Sequence, residues 1–444
     1  MKRNLSPSQI LVLGFLSFIL TGTFLLMLPF SSKVGCAFID ALFTATSAVC
    51  VTGLIVKDIS NDFTLFGHIV ILVLIQIGGL GYMTSATIIS LVISKRIGLA
   101  ERLIMKEELH VVSLEGIVRF TKGVLKFTLL FELTGALLLT FRFLRDFEFK
   151  DAFLLGLFHA VSAFNNAGFS LFSDNLIHFR SDAMVNLVIT TLIISGGIGF
   201  IVVSDLYRFY RKDVKSLSPH TKTVLLTTAI LIIGGAILIY LLEASNPKTF
   251  ASMPLKDKIL ASYFSSVTPR TAGFNTIDYS LLRTETLFLS VILMFIGASP
   301  GGTGGGVKTS TFALVMASLY STIRGMNDTV LFRRRIPADT VSKSFLLVTL
   351  AALFCTVSTH FVITSQDIQY LPAVFEVTSA FGTVGLSTGD GGVRSLSALF
   401  TPIGKFAISF TMFVGRLGPL TLAVAVTRRV EERFRYPEGR VIIG

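Results

Sequence analysis

Four short loops along this chain each close on a single glycine, and each sits among long apolar segments. They read Val51-Thr52-Gly53, Asn166-Ala167-Gly168, Thr271-Ala272-Gly273 and Thr383-Val384-Gly385. The glycines lie 115, 105 and 112 residues apart in a chain of 444, so one unit repeats about every quarter of the chain. The chemistry such loops can do is ion coordination. A dehydrated cation needs oxygen ligands in place of its water, and backbone carbonyls supply them where the chain is tight and extended. Glycine permits the φ values this requires and leaves no side chain in the path. Thr52, Asn166, Thr271 and Thr383 add hydroxyl or amide groups, which are costly in lipid unless they line a cavity. One glycine of this kind would mark only close helix packing. Four in the same context point to a pore.

Each unit carries a second glycine cluster: Gly78-Gly79-Leu80-Gly81, Gly196-Gly197-Ile198-Gly199, Gly297 to Gly301, and Gly415-Arg416-Leu417-Gly418. The third departs from the others. It runs through Gly297, Ser299, Pro300, Gly301, Gly302, Thr303, Gly304, Gly305 and Gly306 to Lys308. Six glycines and a proline cannot sustain a helix, so the span that contains them is expected to break in mid-membrane and expose backbone to a watery cavity. That makes residues 297–309 the candidate gate beneath the filter. The stretch is not a phosphate-binding loop, because Val307 separates the last glycine from Lys308 and no strand precedes it. Arg416 replaces the second glycine of its cluster. A charge at that depth costs about 2.5–3.5 kcal/mol even on the lenient scale, so Arg416 is expected to face the pore. It would either repel the ion locally or bind carbonyls of the 300–306 loop and hold the gate. The alternative is a structural arginine paired with Glu132 or with helix-end carbonyls.

The elements that must position these groups follow from composition. The chain is 52% hydrophobic and 15% charged, with a mean hydropathy of +0.74, which marks a polytopic membrane protein. Eight apolar runs are long enough to span: about 10–30, 63–94, 120–141, 184–206, 222–242, 286–323, 344–364 and 398–427. Shorter runs at about 37–49, 151–164, 256–267 and 370–381 each lead into a glycine loop, as re-entrant half-helices would. Such a half-helix turns one dipole end toward the centre, which here favours a cation. The first run is kept as a helix rather than a signal peptide, because no small-residue cleavage site follows Leu28-Pro29-Phe30.

Charge sets the orientation. Of the 39 Lys and Arg, 24 fall on the face bearing the termini and 12 on the loop face, with Lys308, Lys405 and Arg416 within spans. The positive-inside rule therefore puts both termini in the cytoplasm and opens all four glycine loops outward. The net charge of +12 is thus a topology signal, with no nucleic acid implied. The basic clusters Arg333-Arg334-Arg335 and Arg428-Arg429 read as topology anchors. Trp is absent among 40 Phe and 9 Tyr, so an aromatic belt is a weak marker here. Cys36, Cys50 and Cys355 are odd in number and scattered, and imply neither a disulfide framework nor zinc. The histidines show no metal-ligand spacing. His159 reads as a cap of the second half-helix, and His68 and His360 as satisfied within helices. No nucleophile and base, carboxylate pair or metal cluster recurs on the spans, so the chain is not expected to be an enzyme.

These residues together resemble the Trk/Ktr/HKT superfamily of potassium transporters, and within it the KtrB-type membrane subunit. The carriers are the filter loops, with Thr268 to Asn275 the most specific, the intramembrane glycine loop, the run Phe413 to Pro419, and the closing Arg435 to Gly439. The resemblance covers nearly the whole chain. It implies an all-α fold of four pseudo-repeats, helix, pore half-helix with filter loop, helix, around one central pore. The repeats would occupy 1–95, 96–215, 216–335 with the gate loop 297–309, and 336–444 with a cytoplasmic tail. It implies potassium as the transported ion, bound at the filter only, with sodium dependence left open and no covalent cofactor. Its implied partners are a second copy of the chain, the lipid bilayer of the bacterial plasma membrane, and a cytoplasmic KtrA-type ring. That ring, not this chain, would bind ATP or ADP. The competing reading is an alternating-access symporter that couples sodium to its substrate. Only one broken span is visible in the sequence, whereas inverted repeats would show two.

Overall fold

The computed structural model of the chain describes residues 6–81, 117–389 and 393–426. Among the described residues, four straight helices are long and apolar enough to cross a membrane: α1 (Pro7–Met27), α5 (Ile117–Phe143), α9 (Pro219–Glu243) and α13 (Ala338–Gln366). Helix starts follow local chemistry. Ser6 caps α1 in a reciprocal pair with Gln9, with Pro7 in the first turn, and Ser218 precedes Pro219 in the same way. Large apolar side chains are exposed along these helices, as at Phe24, Leu137, Phe141, Ile233, Leu241 and Val357. In water such faces would be an aggregation hazard. Around a bundle of membrane-spanning length they are the lipid-facing side.

The four predicted half-helices are present as α2 (Phe38–Val49), α6 (Phe149–Phe164), α10 (Leu255–Val267) and α14 (Tyr370–Gly382). Their starts are polar or exposed and their ends buried. In α2 every residue from Phe43 to Val49 is buried, and in α14 every one from Phe375 to Gly382. Each packs against the long helix before it, so its carboxyl end, with unsatisfied carbonyls and the negative end of its dipole, lies deep inside the bundle. At the opposite end Lys405 reaches the first-turn Asp40 of α2 at 2.7 Å, both side chains largely buried. Lys405 thus sits at the start of the helix Pro402–Leu417 rather than in mid-span.

Where the described residues cover the second apolar run of a unit, it is bent or divided. After α3 (Ile59–Asp62), α4 (Leu65–Leu80) ends at Gly81 with φ +87°, and residues 82–94 of the predicted span lie outside the described residues. α7 (Ala183–Gly197) and α8 (Phe200–Tyr210) are bent by 97° at Gly199, φ +96°. α15 (Pro402–Leu417) and α16 (Pro419–Val426) are bent by 93° at Gly418, φ +85°. The sixth run divides into α11 (Thr284–Phe295) and α12 (Thr309–Ile323), with residues 296–308 folded between them. The expectation of a single broken span is therefore corrected. The last glycine of each cluster takes the left-handed conformation that stops a helix, which only glycine adopts without strain.

Arg333 lies in the turn of a small exposed hairpin, Val330–Leu331 against Arg334–Arg335, and Arg335 pairs with Asp328 at 2.8 Å. Arg428 and Arg429 lie outside the described residues.

The glycine clusters are places where a helix lies against a carbonyl. A Cβ added at Gly78, Gly196 or Gly415 would strike the carbonyl oxygen of Val49, Phe164 or Phe381, the residue four before each loop glycine. Gly234, in α9, has nothing within 4 Å of that position. Gly415→Ala is expected to cost about 1–3 kcal/mol and to lower the melting temperature of the detergent-solubilised protein by several degrees. Gly234→Ala is expected to be neutral or to stabilise by up to about 1 kcal/mol in the same fluorescence-detected melt.

Candidate ion site at the centre of the fold

The half-helices end where the backbone turns left-handed, at the same offset in every loop. Two residues before the loop glycine, φ is +57° at Val51, +59° at Asn166, +72° at Thr271 and +51° at Thr383. The glycines follow at +94°, +70°, +77° and +92°. A left-handed non-glycine residue costs about 1–3 kcal/mol and persists only where its surroundings hold it. The equivalent positions are thus Val51, Asn166, Thr271 and Thr383. Thr52 belongs one residue later, with Ala167, Ala272 and Val384, so the sequence grouping of Thr52 with Asn166, Thr271 and Thr383 is shifted by one. Its hydroxyl is buried without a hydrogen-bond partner.

The loops come together in chain order. A Cβ on Gly53 would lie 2.5 Å from the Ala167 carbonyl oxygen, one on Gly168 2.8 Å from that of Ala272, and one on Gly273 2.5 Å from that of Val384. A Cβ on Gly385 would strike the Thr52 carbonyl oxygen, which closes the ring. Each glycine is therefore pressed against the carbonyl just before the next one. All four line one small pocket of about 60 Å³, with Asp58, Ser170, Asn275, Asp278 and Ser387 around its rim.

Each loop is buckled to the helix behind it. The amides of Thr52, Ala167 and Val384 donate to the carbonyls of Ser47, Ser162 and Ser379, all at 2.8 Å. In the third loop Ala272 donates to Thr268 instead, one residue closer. Asn166 and Thr271 join across neighbouring loops at 3.1 Å. The Asn166 amide satisfies all its neighbours when its oxygen accepts from Thr271 and its nitrogen donates to Ala163 and Ile193.

On the other side of the ring lies the glycine-rich segment. Its residues are held by their neighbours. Gly297 donates to Val307 at 2.9 Å, Ser299 to the Gly197 carbonyl at 3.0 Å, and Thr303 to that of Gly196 at 3.1 Å. Gly302 donates to Ser299 at 3.1 Å, and Gly301, which follows Pro300, accepts from Phe200 at 3.0 Å. The Gly305 amide donates to the Thr383 hydroxyl at 2.9 Å, so the segment is tied directly to the fourth loop. Gly306 has φ +70°, and Lys308 Nζ donates to the Gly304 carbonyl at 2.6 Å. Arg416 donates to the carbonyls of Thr303 and Gly78, and at 3.5 Å to that of Gly79. One guanidinium thus joins the segment to the end of α4, uniting the two binding modes expected for it. Glu132 accepts from Gln76 at 3.2 Å and Asn165 at 2.9 Å. Beneath the segment opens a cavity of about 380 Å³ lined by Leu80, Phe200, Lys308, Leu347 and Arg416 among others.

Of two side chains close to the loops, Glu376 has no role in the sequence reading and His159 reads there only as a helix cap. His159 and Glu376 are buried in α6 and α14, nine residues before Gly168 and Gly385, and each bonds the serine two residues after its glycine, Ser170 or Ser387. His159 is thus not a helix cap. The repeated spacing between the titratable residue, the glycine and the serine was the signal available. No group of His, Cys, Asp or Glu that could hold a metal ion occurs among the described residues.

Comparison with known proteins gives the family and the fold. The family described as cation transport protein, TrkH, matches residues 3–434. The chain is 43% identical over 440 residues to the Ktr system potassium uptake protein B of Bacillus subtilis, covering 99% of this chain and 97% of the relative. It is 36% identical to the potassium/sodium uptake protein NtpJ of Enterococcus hirae, covering 100% and 98%. Among solved structures, the potassium transporter TrkH from Vibrio parahaemolyticus superposes with a TM-score of 0.75 at 18% identity, over 96% of this chain and 86% of that one.

The Arg416 bridge has a measurable consequence. Arg416→Ala leaves the Thr303 and Gly78 carbonyls without that donor, and a lost hydrogen bond to a charged group is worth about 1.5–3 kcal/mol. Amide hydrogen exchange across residues 297–309 is expected to speed up by about tenfold or more while exchange in α9 is unchanged.

Proposed function

The chain belongs to the TrkH family of cation transport proteins, and from that premise we propose that it is the membrane subunit of a potassium-uptake system, a gated pore whose filter is the glycine ring. The proposed architecture is eight spans in four repeats, 1–95, 96–215, 216–335 and 336–444, with both termini cytoplasmic and the loops facing outward. The observation that carries the reading is the closed order of contact from Gly53 through Gly168 and Gly273 to Gly385 and back. Four loops meeting in sequence order around one point are what parallel repeats around a central axis produce.

The proposed mechanism uses backbone almost alone. A cation arriving in the outer pocket meets four buried half-helix carboxyl ends, whose partial negative charge favours it over an anion. Carbonyls of Val51 to Gly53, Asn166 to Gly168, Thr271 to Gly273 and Thr383 to Gly385 then replace its water. Below, the 297–309 segment blocks the path, held by Arg416 and by the Thr383 hydroxyl. Lys308 and Arg416 place positive charge there, which keeps a cation from resting under the filter. Opening requires the segment to leave these partners. Relatives named as Ktr system proteins support a second, regulatory subunit as the source of that push. We assign this to a KtrA-type nucleotide-binding ring acting on a homodimer of this chain. The name of the Enterococcus relative keeps sodium in view as a second ion. An alternating-access symporter draws support from the number of broken spans, which exceeds the sequence expectation. It predicts loops entering from both sides, whereas all four here line one pocket.

Growth of a potassium-uptake-deficient bacterium in submillimolar potassium tests the proposal. Rescue is expected with this chain and a KtrA-type subunit, and Gly53→Asp and Gly273→Asp are expected to abolish it at equal surface expression. Absence of rescue by well-expressed wild type with its partner sinks the potassium reading. Deleting Gly301 to Gly305 is expected to raise basal potassium flux several-fold in vesicles, and unchanged flux removes the gate assignment.

A further inference from the structure

We infer that the four loops are held as two coupled pairs, fourth with first and second with third, each braced from behind by one buried side chain, Glu376 or His159. These two are positioning residues for ion discrimination. The inference rests on the filter reading above and adds to it how the ring is kept in shape.

The bracing is direct. Glu376 is fully buried in α14, and its carboxylate accepts from the Ser387 hydroxyl at 2.6 Å and from the Ser397 amide and hydroxyl at 2.9 and 2.5 Å. Ser387 accepts in turn from the amides of Gly389 at 3.1 Å and Leu396 at 2.8 Å. His159 is equally buried in α6. Its Nδ1 lies 2.7 Å from the Leu155 carbonyl, which can only accept, so Nδ1 carries the proton and Nε2 accepts from the Ser170 hydroxyl at 2.9 Å. Ser170 then accepts from the Phe172 amide at 2.9 Å. The first and third loops carry Thr44 and Phe264 at the equivalent helix position and Ile55 and Asn275 in place of the serine. They have no such brace of their own.

They are held instead by their braced neighbours. Ser395, two residues from Ser397, donates its amide to the Ile55 carbonyl at 3.0 Å and accepts from the Ile55 amide at 2.9 Å. The corresponding bonds in the other pair run from the Leu176 amide to the Asn275 carbonyl at 3.1 Å and from the Asn275 amide to Asn175 at 3.4 Å. A braced loop thus grips the unbraced one at the same position, two residues past its glycine.

A second feature divides the loops the same way. In the first and fourth, the hydroxyls of Ser47 and Ser379 accept from the glycine amides of Gly53 and Gly385 at 3.0 and 3.1 Å. In the second and third, the hydroxyls of Ser162 and Thr268 donate to the carbonyls of Phe169 and Phe274 at 2.8 and 2.5 Å. Between the pairs, the mouth is joined by Ser173, which bonds Asp58 and Asn61 and is partly exposed. Deeper, Asn165 reaches Gln76 and Glu132, and the 297–309 segment reaches Thr383.

Ion discrimination depends on where the carbonyls stand, so loosening a brace should change preference more than throughput. The test is potassium and sodium uptake by the full-length protein with its regulatory subunit in vesicles, per copy inserted. Glu376→Ala is expected to reduce the potassium-over-sodium preference about tenfold, with maximal rate changed less than about twofold. Ser387→Ala, which removes one hydroxyl from the surface of that network, is expected to shift it the same way and serves if Glu376→Ala fails to insert. Combining Ser387→Ala with Ser395→Ala, in one pair, should give less than the product of the single effects. Combining Ser387→Ala with Ser170→Ala, across pairs, should give the product. Gly385→Ser is the control for the filter itself. If it leaves preference unchanged, the filter reading falls. If it shifts preference while Glu376→Ala and Ser387→Ala do not, only the bracing falls. A cross-pair combination as non-multiplicative as the within-pair one overturns the division into halves.

Discussion

Four backbones approach one another here more closely than any side chain allows, and the rest of the molecule is arranged to make that approach bearable. A Cβ at any of the loop glycines would meet the neighbouring loop's carbonyl or α-carbon within 3 Å. The approach carries two liabilities, left-handed backbone at Val51, Asn166, Thr271 and Thr383, and carbonyls crowded at the centre of an apolar bundle. The half-helices answer the first by taking the loop amides onto their last turn. In the proposed function a cation at the centre answers the second, since crowded carbonyl oxygens repel one another until something positive sits among them.

The glycine clusters extend the same constraint one layer outward. Gly78, Gly196 and Gly415 let a helix lie on the last carbonyl of a half-helix, and the left-handed glycine that follows turns the chain away. In the third unit this arrangement is given up. Gly297 packs on its own loop at Gly305, and the freed segment fills the space under the ring. Its amides at Ser299 and Thr303 donate to the carbonyls of Gly197 and Gly196 at the neighbouring helix end, and the Thr303 hydroxyl donates to that of Phe164. Arg416 completes the set by donating where the segment has carbonyls to spare. In the proposed reading this segment is the gate, and these hydrogen bonds are what opening has to break.

The ring repeats in backbone without repeating in side chains: a buried residue nine positions before the glycine bonds the serine beyond it in the second and fourth loops, and the first and third have neither partner. The shared parts are those the close approach demands. The differing parts, Thr44 against Glu376 or Ile55 against Ser387, lie behind or above the ring, where each loop can be stiffened separately.

Much was legible in the sequence. The apolar runs and the positions of the half-helices follow from length and hydropathy, because a bilayer admits few alternatives. The loop glycines stood out by repetition, and the broken third cluster by its inability to form a helix. The sharp bends at Gly199 and Gly418 were not legible, since a glycine within an apolar run equally suits a straight helix that packs closely. Nor was the register of Thr52, which depends on φ. The bonds of His159 and Glu376 to their serines escaped because the spacing that joins them recurs in only two of the four loops and with different residue types.

The sequence by itself thus determined the apolar, membrane-embedded character of the chain and the positions of the short helices and their loop glycines, all of which depend on local composition and on the short reach of the chain. Only the tertiary structure decided that the four loops close in chain order, that one arginine joins residues over a hundred and over three hundred positions away, and that His159 and Glu376 bond the serines beyond two of the loops. Those facts are contacts between segments far apart along the chain. They exist only when the whole bundle has brought four helix ends to one point.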